Sequence, residues 1–313
     1  MLRVLTYHRI AGPDSTLGLD PTLISATPTD FERQVRYLAD RFQVVTLPEV
    51  LHAFRTGTSL PSNAVLVTFD DAYADFGAIA WPILKHYRLP ATLFVPTAYP
   101  DHPQRLFWWD RLYRAIASSW KPYLEETPLG AMPLRTLDDR YAVLRWMRKH
   151  VKAIDHEKAL ALIDRVCVKL GTLSAGTNDV LSWDQLKRLA REGVTLAAHT
   201  RTHPLLTRIA PEAARDEIVG SQRDLKGQIG TTFPVFCFPA GQHDDTVISI
   251  LKQERFELAF TTEPGVNDLK RADPWRLRRI NVTRRTTPWL FRFRLGGIGR
   301  QVDAWRHARR ALQ

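Results

Sequence analysis

Cysteine is scarce in this chain of 313 residues: there are two, Cys167 and Cys237, both among apolar neighbours and not paired as CxxC. That excludes a disulfide-stapled scaffold and a cysteine-only zinc site, and fits small buried side chains in a reducing compartment. No apolar run approaches the roughly 18 residues of a membrane-spanning helix. The start, Met1-Leu2-Arg3-Val4-Leu5-Thr6-Tyr7-His8, is too short and too polar for a signal peptide and reads as a first strand. The expectation is therefore a cytoplasmic protein. Internal repeats and low-complexity tracts are also missing, which excludes repeat architectures.

What the chain has in excess is positive charge, +11 at pH 7. That balance points to anionic company: a phosphate-bearing substrate, a bilayer surface or nucleic acid. A basic, solvated surface is the alternative, and charge alone does not choose. No nucleic-acid recognition motif is present, so no nucleic-acid partner is expected. Hydrophobic content of 44% with 25% charged residues is that of an ordinary globular protein, long enough for one large α/β domain or two small ones.

Segments 2–8, 43–47, 64–70, 91–96, 193–199, 234–239, 257–262 and 277–282 read as strands, with amphipathic helical stretches between most of them. Phe31, Val35 and Leu38 recur at helical spacing within 28–40. Ser182-Trp183-Asp184-Gln185 opens a helix with a capping box. Pro211 starts another that Gly230 ends. Strands alternating with helices imply a mostly parallel sheet, and about seven or eight of them suggest closure into a barrel. Residues 98–181 break the rhythm: an aromatic stretch, Leu106 to Leu112, then a helical pair from Tyr141 to Leu170. They read as an insertion, a lid over the barrel rather than an independent domain. From Arg284 a tail interleaves arginines with Trp289, Phe291, Phe293 and Trp305. It fits either a membrane interface or a surface helix packed by its aromatics.

Three strand ends carry titratable groups. Val65 to Phe69 is a buried apolar strand that stops in Asp70-Asp71. Adjacent carboxylates repel, so each must be hydrated, paired or held by a metal. A second apolar strand, Val194 to Ala198, runs into His199-Thr-Arg-Thr-His203-Pro204. Histidines four apart on helix-like backbone face the same side, and two imidazoles with one carboxylate make a common divalent-metal set. A lone pair of that kind is weak evidence; the Asp-Asp strand end strengthens it. The first strand ends in His8. In a parallel barrel these ends share one face.

Taken together, Thr68-Phe69-Asp70-Asp71, His199 to Pro204 and Leu89 to Pro96 resemble the polysaccharide deacetylases of the NodB-homology type, carbohydrate esterase family 4. Tyr7-His8-Arg9-Ile10, Phe238-Pro239-x-Gly241 and Arg278-Arg279-Ile280 resemble the branch that acts on bacterial exopolysaccharides. The resemblance covers residues 2–283 apart from most of the insertion. It implies an α/β fold, a distorted (β/α)7-type barrel, followed by the tail at 284–313. It also implies a divalent metal, zinc in most members, held by Asp71, His199 and His203, with Asp70 as general base. The expected substrate is an N-acetylated glycan: a polysaccharide, an oligosaccharide or a lipid-linked precursor. The basic tail would suit the last of these and contact with an anionic membrane surface. Other amide hydrolysis on the same scaffold, such as deformylation, is a near alternative.

The chemistry supports that division of labour. An aspartate of pKa about 4 faces a gap of about 12 units, roughly 16 kcal/mol, against bulk water. A metal that brings its water to about 7 leaves about 3 units, roughly 4 kcal/mol. The backbone N–H of Tyr73 is a candidate oxyanion donor. Trp108, Trp109 and Asp110 are candidates for a sugar-stacking wall, packing of the insertion being the alternative. Phe238, Pro239 and Gly241 are candidates for the pocket floor.

Departures from the family pattern matter too. Ala72 stands where a glycine is usual. Phe236-Cys237-Phe238-Pro239 replaces Arg-x-Pro-Tyr, whose arginine orients the base. The Leu-x-His motif that supplies the general acid has no match. Leu277-Arg278-Arg279-Ile280 stands near its place, which leaves His8 as the candidate proton donor. These losses give some weight to a catalytically silent carbohydrate-binding protein.

Overall fold

The structure, a computed structural model, describes residues 1–12, 19–172 and 178–296. They fall into two compact units, one of residues 1–12, 22–101 and 179–296, the other of 19–21, 102–172 and 178.

Seven parallel strands organise the first unit: β1 (Arg3–Tyr7), β2 (Ala64–Phe69), β3 (Thr92–Val95), β4 (Thr195–Ala198), β5 (Val235–Cys237), β6 (Leu258–Pro264) and β7 (Leu277–Asn281). Each pairs with its successor, and β1 pairs with both β2 and β7, so the sheet closes. A register shift between β6 and β7 distorts the closure. The expected seven-strand barrel is the fold observed.

Side chains alternate across the barrel wall, as strand geometry requires. Val4, Leu66, Phe94, Ala197, Cys237 and Phe260 belong to one apolar cluster, closed off by Leu47, Val50 and Leu51. Their neighbours Leu5, Val67, Leu93, Leu196 and Phe236 belong to the other, with the helix residues Phe31, Val35, Leu186, Ile218 and Leu251. Hence β2 is buried at all six positions and carries no polar alternation.

Helix starts and stops follow the sequence signals. Thr27 caps Pro28–Arg41, Ser182 forms its capping box with Gln185 at the head of Trp183–Arg191, and Gly230, at φ 86°, ends Pro211–Ile229. Several strands are shorter than expected, and one is cut by a helix start. Residues 43–47 shorten to Gln43–Val44, because Thr46 and Glu49 make a capping box and start helix Leu47–Thr56. The tail is described over 284–296, where helix Pro288–Leu295 buries Phe291 and Leu295 in the core. Residues 297–313, with Trp305, lie outside the described residues.

The second unit holds helices Trp108–Ser118, Leu137–Ala153 and His156–Lys169, plus an antiparallel hairpin of Tyr123–Thr127 with Gly130–Pro133. The helical pair was legible; the first helix and the hairpin were not. Leu112, Ile116, Leu144, Met147, Ile163 and Val166 give this unit an apolar cluster of its own, and Arg148 is ion-paired with the buried Asp20. No described helix is long and apolar enough to cross a membrane.

Candidate active site

The site forms where β2, β4, β5 and β7 end. Residues of one parity face into the barrel, so Asp70 continues the line of Leu66, His199 that of Ala197, and Arg279 that of Leu277. All three are buried.

The turn after β2 is strained. Asp71 has φ 70° and Ala72 φ 52°, left-handed values that cost a residue with a Cβ about 1–2 kcal/mol. Backbone bonds hold it there: Asp70 N–H to the Tyr7 carbonyl at 3.0 Å, Leu181 N–H to that of Ala72 at 2.9 Å, and Ala74 N–H to that of Asp179 at 2.6 Å. Ala72 thus occupies the glycine-type conformation without the glycine.

The histidines do not share a turn of helix. Thr200 and His203 are both left-handed, at φ 64° and 60°, in a loop bent back on itself. Glu217 accepts from the N–H groups of Arg201 at 2.7 Å and Thr202 at 2.8 Å, while the Thr200 hydroxyl accepts from His203 N–H at 3.0 Å. The expected convergence is nonetheless reached, with imidazole centroids 4.8 Å apart.

Asp71 Oδ1 lies 3.5 Å from His199 Nε2 and 3.3 Å from His203 Nε2. The three donor atoms lie within 4.8 Å of one another, all buried. Ligands about 2.1 Å from a tetrahedral ion are separated by about 3.4 Å, so both distances match the edges of such a polyhedron. Asp71 Oδ1 is buried with no hydrogen-bond partner, the state of an oxygen reserved for a cation. His199 Nδ1 is 2.7 Å from the Cys237 carbonyl. A carbonyl only accepts, so Nδ1 carries the proton and Nε2 is left for a ligand. These residues fit a divalent metal.

The electrostatics agree. Burial opposes the charge on Asp71, but His203, His199 and His8 outweigh it and hold the carboxyl below its usual range. Burial, with His199 adding to it, pushes His203 down to about 3 against the pull of Asp71, so its imidazole is neutral at pH 7. Burial also opposes a charged His199, but Cys237, Asp71 and Asp70 raise it well above the ordinary value. A divalent cation bound at His199 Nε2 would take the place of the second proton that this raised imidazole otherwise carries.

Asp70 is locked beside this triad. Arg279 Nη1 and Nη2 each donate to one of its oxygens at 2.8 Å, and Arg279 Nε donates to the Thr261 carbonyl at 2.6 Å. The Cys237 thiol stands 3.8 Å from both oxygens. Burial raises the Asp70 carboxyl, and Arg279, with His199 and His8, more than reverses it. The orienting arginine, absent from the segment around Cys237, is therefore present on β7. Its signal was visible: arginine in a strand, at the parity that faces inward.

Other candidates sit variously. His8 follows β1 at the same end and is close enough to lower both Asp70 and Asp71. Tyr73 is buried, with the Arg9 guanidinium 3.6 Å above its ring. Phe238 is buried against His243, ring centroids 5.0 Å apart. Pro239 begins the turn Pro239–Gly241. Gly241, at φ 70°, leaves no room for a Cβ, which would lie 2.4 Å from Thr262 N. Trp108, Trp109 and Asp110 belong to the second unit. Trp109 and Asp110 are buried there, Trp109 stacked on Phe107 at 4.5 Å, and Trp108 packs against the unit's core.

Comparison with known proteins agrees with this geometry. Residues 136–259 match the family Polysaccharide deacetylase. Over these residues the chain is similar to the polysaccharide deacetylases. The match takes in His199, His203 and Cys237 and leaves out Asp70 and Asp71. Poly-beta-1,6-N-acetyl-D-glucosamine N-deacetylase of Escherichia coli K12 is 31% identical over 260 residues, 81% of this chain and 33% of that protein. A relative from Bacillus subtilis is 20% identical over 84% of this chain and 65% of its own length. The chain thus spans under two thirds of either. Two solved structures share the fold. The Streptococcus pyogenes deacetylase PplD, in complex with acetate, has a TM-score of 0.63 at 20% identity, covering 94% of this chain and 98% of that one. IcaB from Ammonifex degensii has a TM-score of 0.62 at 20% identity, covering 94% and 97%.

Proposed function

We propose that this chain is a metal-dependent hydrolase that removes the N-acetyl group from an amino sugar of a bacterial exopolysaccharide or a related oligosaccharide. The observation that carries the reading is the convergence of Asp71, His199 and His203 beside a carboxylate, Asp70, that two arginine hydrogen bonds hold in one orientation. The E. coli relative, by its name, acts on an N-acetylglucosamine polymer, which supports the substrate class.

Asp71, His199 and His203 would hold the ion. Bound there, it would acidify a water and polarise the acetamide carbonyl. Asp70 takes a proton from the attacking water, and Arg279 keeps its lone pairs aimed. When the C–N bond breaks, the nitrogen must gain a proton, and we assign its donation to His8. The products are acetate and a free amine. Phe238, Pro239 and Gly241 would shape the floor of the cleft.

The silent, carbohydrate-binding alternative rested partly on a missing arginine; with Arg279 paired to Asp70 that ground is gone. The test is acetate release from N-acetylglucosamine oligomers by metal-loaded protein. Loss on chelation and recovery on adding zinc are expected. Protein that takes up no divalent ion under any loading condition would defeat the enzymatic reading.

A further inference from the structure

Apart from the Asp71, His199 and His203 cluster, helix Pro28–Arg41 and the segment from Arg284 through helix Pro288–Leu295 face each other across a groove of about 800 Å³. Six arginines line it: Arg33, Arg36, Arg41, Arg284, Arg285 and Arg292. Two acids, Asp30 and Asp40, stand against them. All six arginines are exposed. Asp30 is taken by Arg33 at 3.2 Å. Arg36, Arg41, Arg284 and Arg285 make no ion pair among the described residues. The helix contributes its share by spacing, since Arg33, Arg36, Tyr37, Asp40 and Arg41 recur at three and four residues and line one face.

The groove has an aromatic floor. Phe291 is buried, its ring 6.3 Å from that of Tyr37, and the Arg292 guanidinium lies 5.2 Å over Tyr37. The Arg284 N–H bonds to the Ile24 carbonyl at 3.1 Å, and Thr287 caps helix Pro288–Leu295, so the arginine-bearing segment is anchored at both ends.

Concentrating like charge in a concavity is unfavourable unless an anion fills it. Guanidinium forks match phosphate oxygens two at a time, and several converging forks suit a group with more than one phosphate. The volume is that of a small-ligand pocket, and the shape is a trough rather than a flat basic face. We propose that this groove is a binding site for a phosphate ester, a diphosphate by preference, separate from the hydrolytic centre. The inference does not depend on the deacetylase reading, because no groove residue belongs to that centre.

The experiment is calorimetric titration of inorganic pyrophosphate and of inorganic phosphate into chelator-treated full-length protein at low salt. Chelation removes any metal that could capture the anion. One equivalent of pyrophosphate is expected to bind, more tightly than phosphate, and to weaken as salt rises. The double variant Arg36→Gln/Arg285→Gln is expected to lose about tenfold or more in affinity. The charge-matched control Arg188→Gln/Arg191→Gln, on helix Trp183–Arg191, should bind as wild type does. A parallel arm uses vesicles of phosphatidylcholine doped with phosphatidylglycerol. Vesicle binding that needs Arg36 and Arg285 without pyrophosphate binding would overturn the proposal in favour of a bilayer surface. Equal weakening in both double variants would reduce it to overall charge, and absence of pyrophosphate binding would end it.

Discussion

Arg279 and Asp70, 209 residues apart in sequence, meet as a buried two-pronged ion pair with both hydrogen bonds at 2.8 Å. Breaking a buried pair leaves one charge without compensation, at a cost of about 3–5 kcal/mol. Arg279→Met is therefore expected to lower the denaturation midpoint sharply. Arg279→Lys keeps the charge but not the fork, and should retain more stability while activity falls about 100-fold. The pH profile separates orientation from structure. Arg279 lowers the Asp70 carboxyl, so its removal raises that carboxyl and moves the acid limb of the activity profile to higher pH. An unmoved acid limb in Arg279→Met, which removes the charge, would take Arg279 out of the mechanism.

The ligand set and the base make separable predictions. Asp70→Asn should bind its divalent ion with the wild-type stoichiometry and lose most acetate release, about 100-fold or more. Asp71→Asn and His203→Ala should lose the ion itself, by elemental analysis of dialysed protein. Ion retention in His203→Ala would show that the cluster is not the metal site.

How far the sequence reached can be judged from these same residues. Apolar runs located all seven barrel strands, because a strand buried on both faces has little freedom in composition. Asp70, Asp71, His199 and His203 were legible as polar groups at the ends of such strands. The loop between the histidines was not, because Thr200 and His203 adopt left-handed backbone that neither residue type announces. Arg279 is legible as part of the Arg278-Arg279-Ile280 resemblance, near the missing Leu-x-His motif, but not as the partner of Asp70. The pairing with Asp70 depends on β7 lying beside β1 in a closed sheet, and closure is not written in local periodicity. The hairpin Tyr123–Thr127 with Gly130–Pro133 escaped for a similar reason: Gly130–Pro133 is mostly exposed and shows no apolar alternation.

Gly241→Ala should destabilise the fold. The added Cβ would stand 2.2 Å from Thr262 Oγ1 and 2.4 Å from Thr262 N, at φ 70°. The second contact is backbone and cannot swing away. Left-handed strain of about 1–2 kcal/mol adds to it. A clear fall in thermal midpoint is expected, and an unchanged midpoint would mean the turn Pro239–Gly241 can move without cost.

Asp75 gives a pH signature outside the metal cluster. Burial pushes its carboxyl up to about 7 from 3.8, and Asp179 adds to this, against the pull of Arg9 and the Ile10 N–H. The folded chain then binds a proton between these values that the unfolded chain has released. Stability should fall as pH rises from about 4 to about 7, at no more than 1.36 kcal/mol per unit. Asp75→Asn removes the titration. Denaturation series at pH 5 and pH 7.5 should show wild type losing more stability than the variant across that interval. The opposite sign would mean that Arg9 keeps Asp75 ionised throughout.

His8 offers the sharpest test of the reaction's second half. An amine leaving from a tetrahedral intermediate is a poor leaving group until protonated, whereas an activated phenol leaves unaided. His8 follows β1, at the end of the barrel that carries Asp70 and Asp71, where the proposed reaction needs a proton for the nitrogen. His8→Ala should therefore slow N-acetyl hydrolysis by about 100-fold or more while slowing an activated acetate ester much less. His8→Gln, which keeps a hydrogen-bonding group and loses the titrating proton, should behave like His8→Ala on the amide. If both substrates slow equally, His8 positions substrate or supports the barrel mouth, and the proton must come from another group.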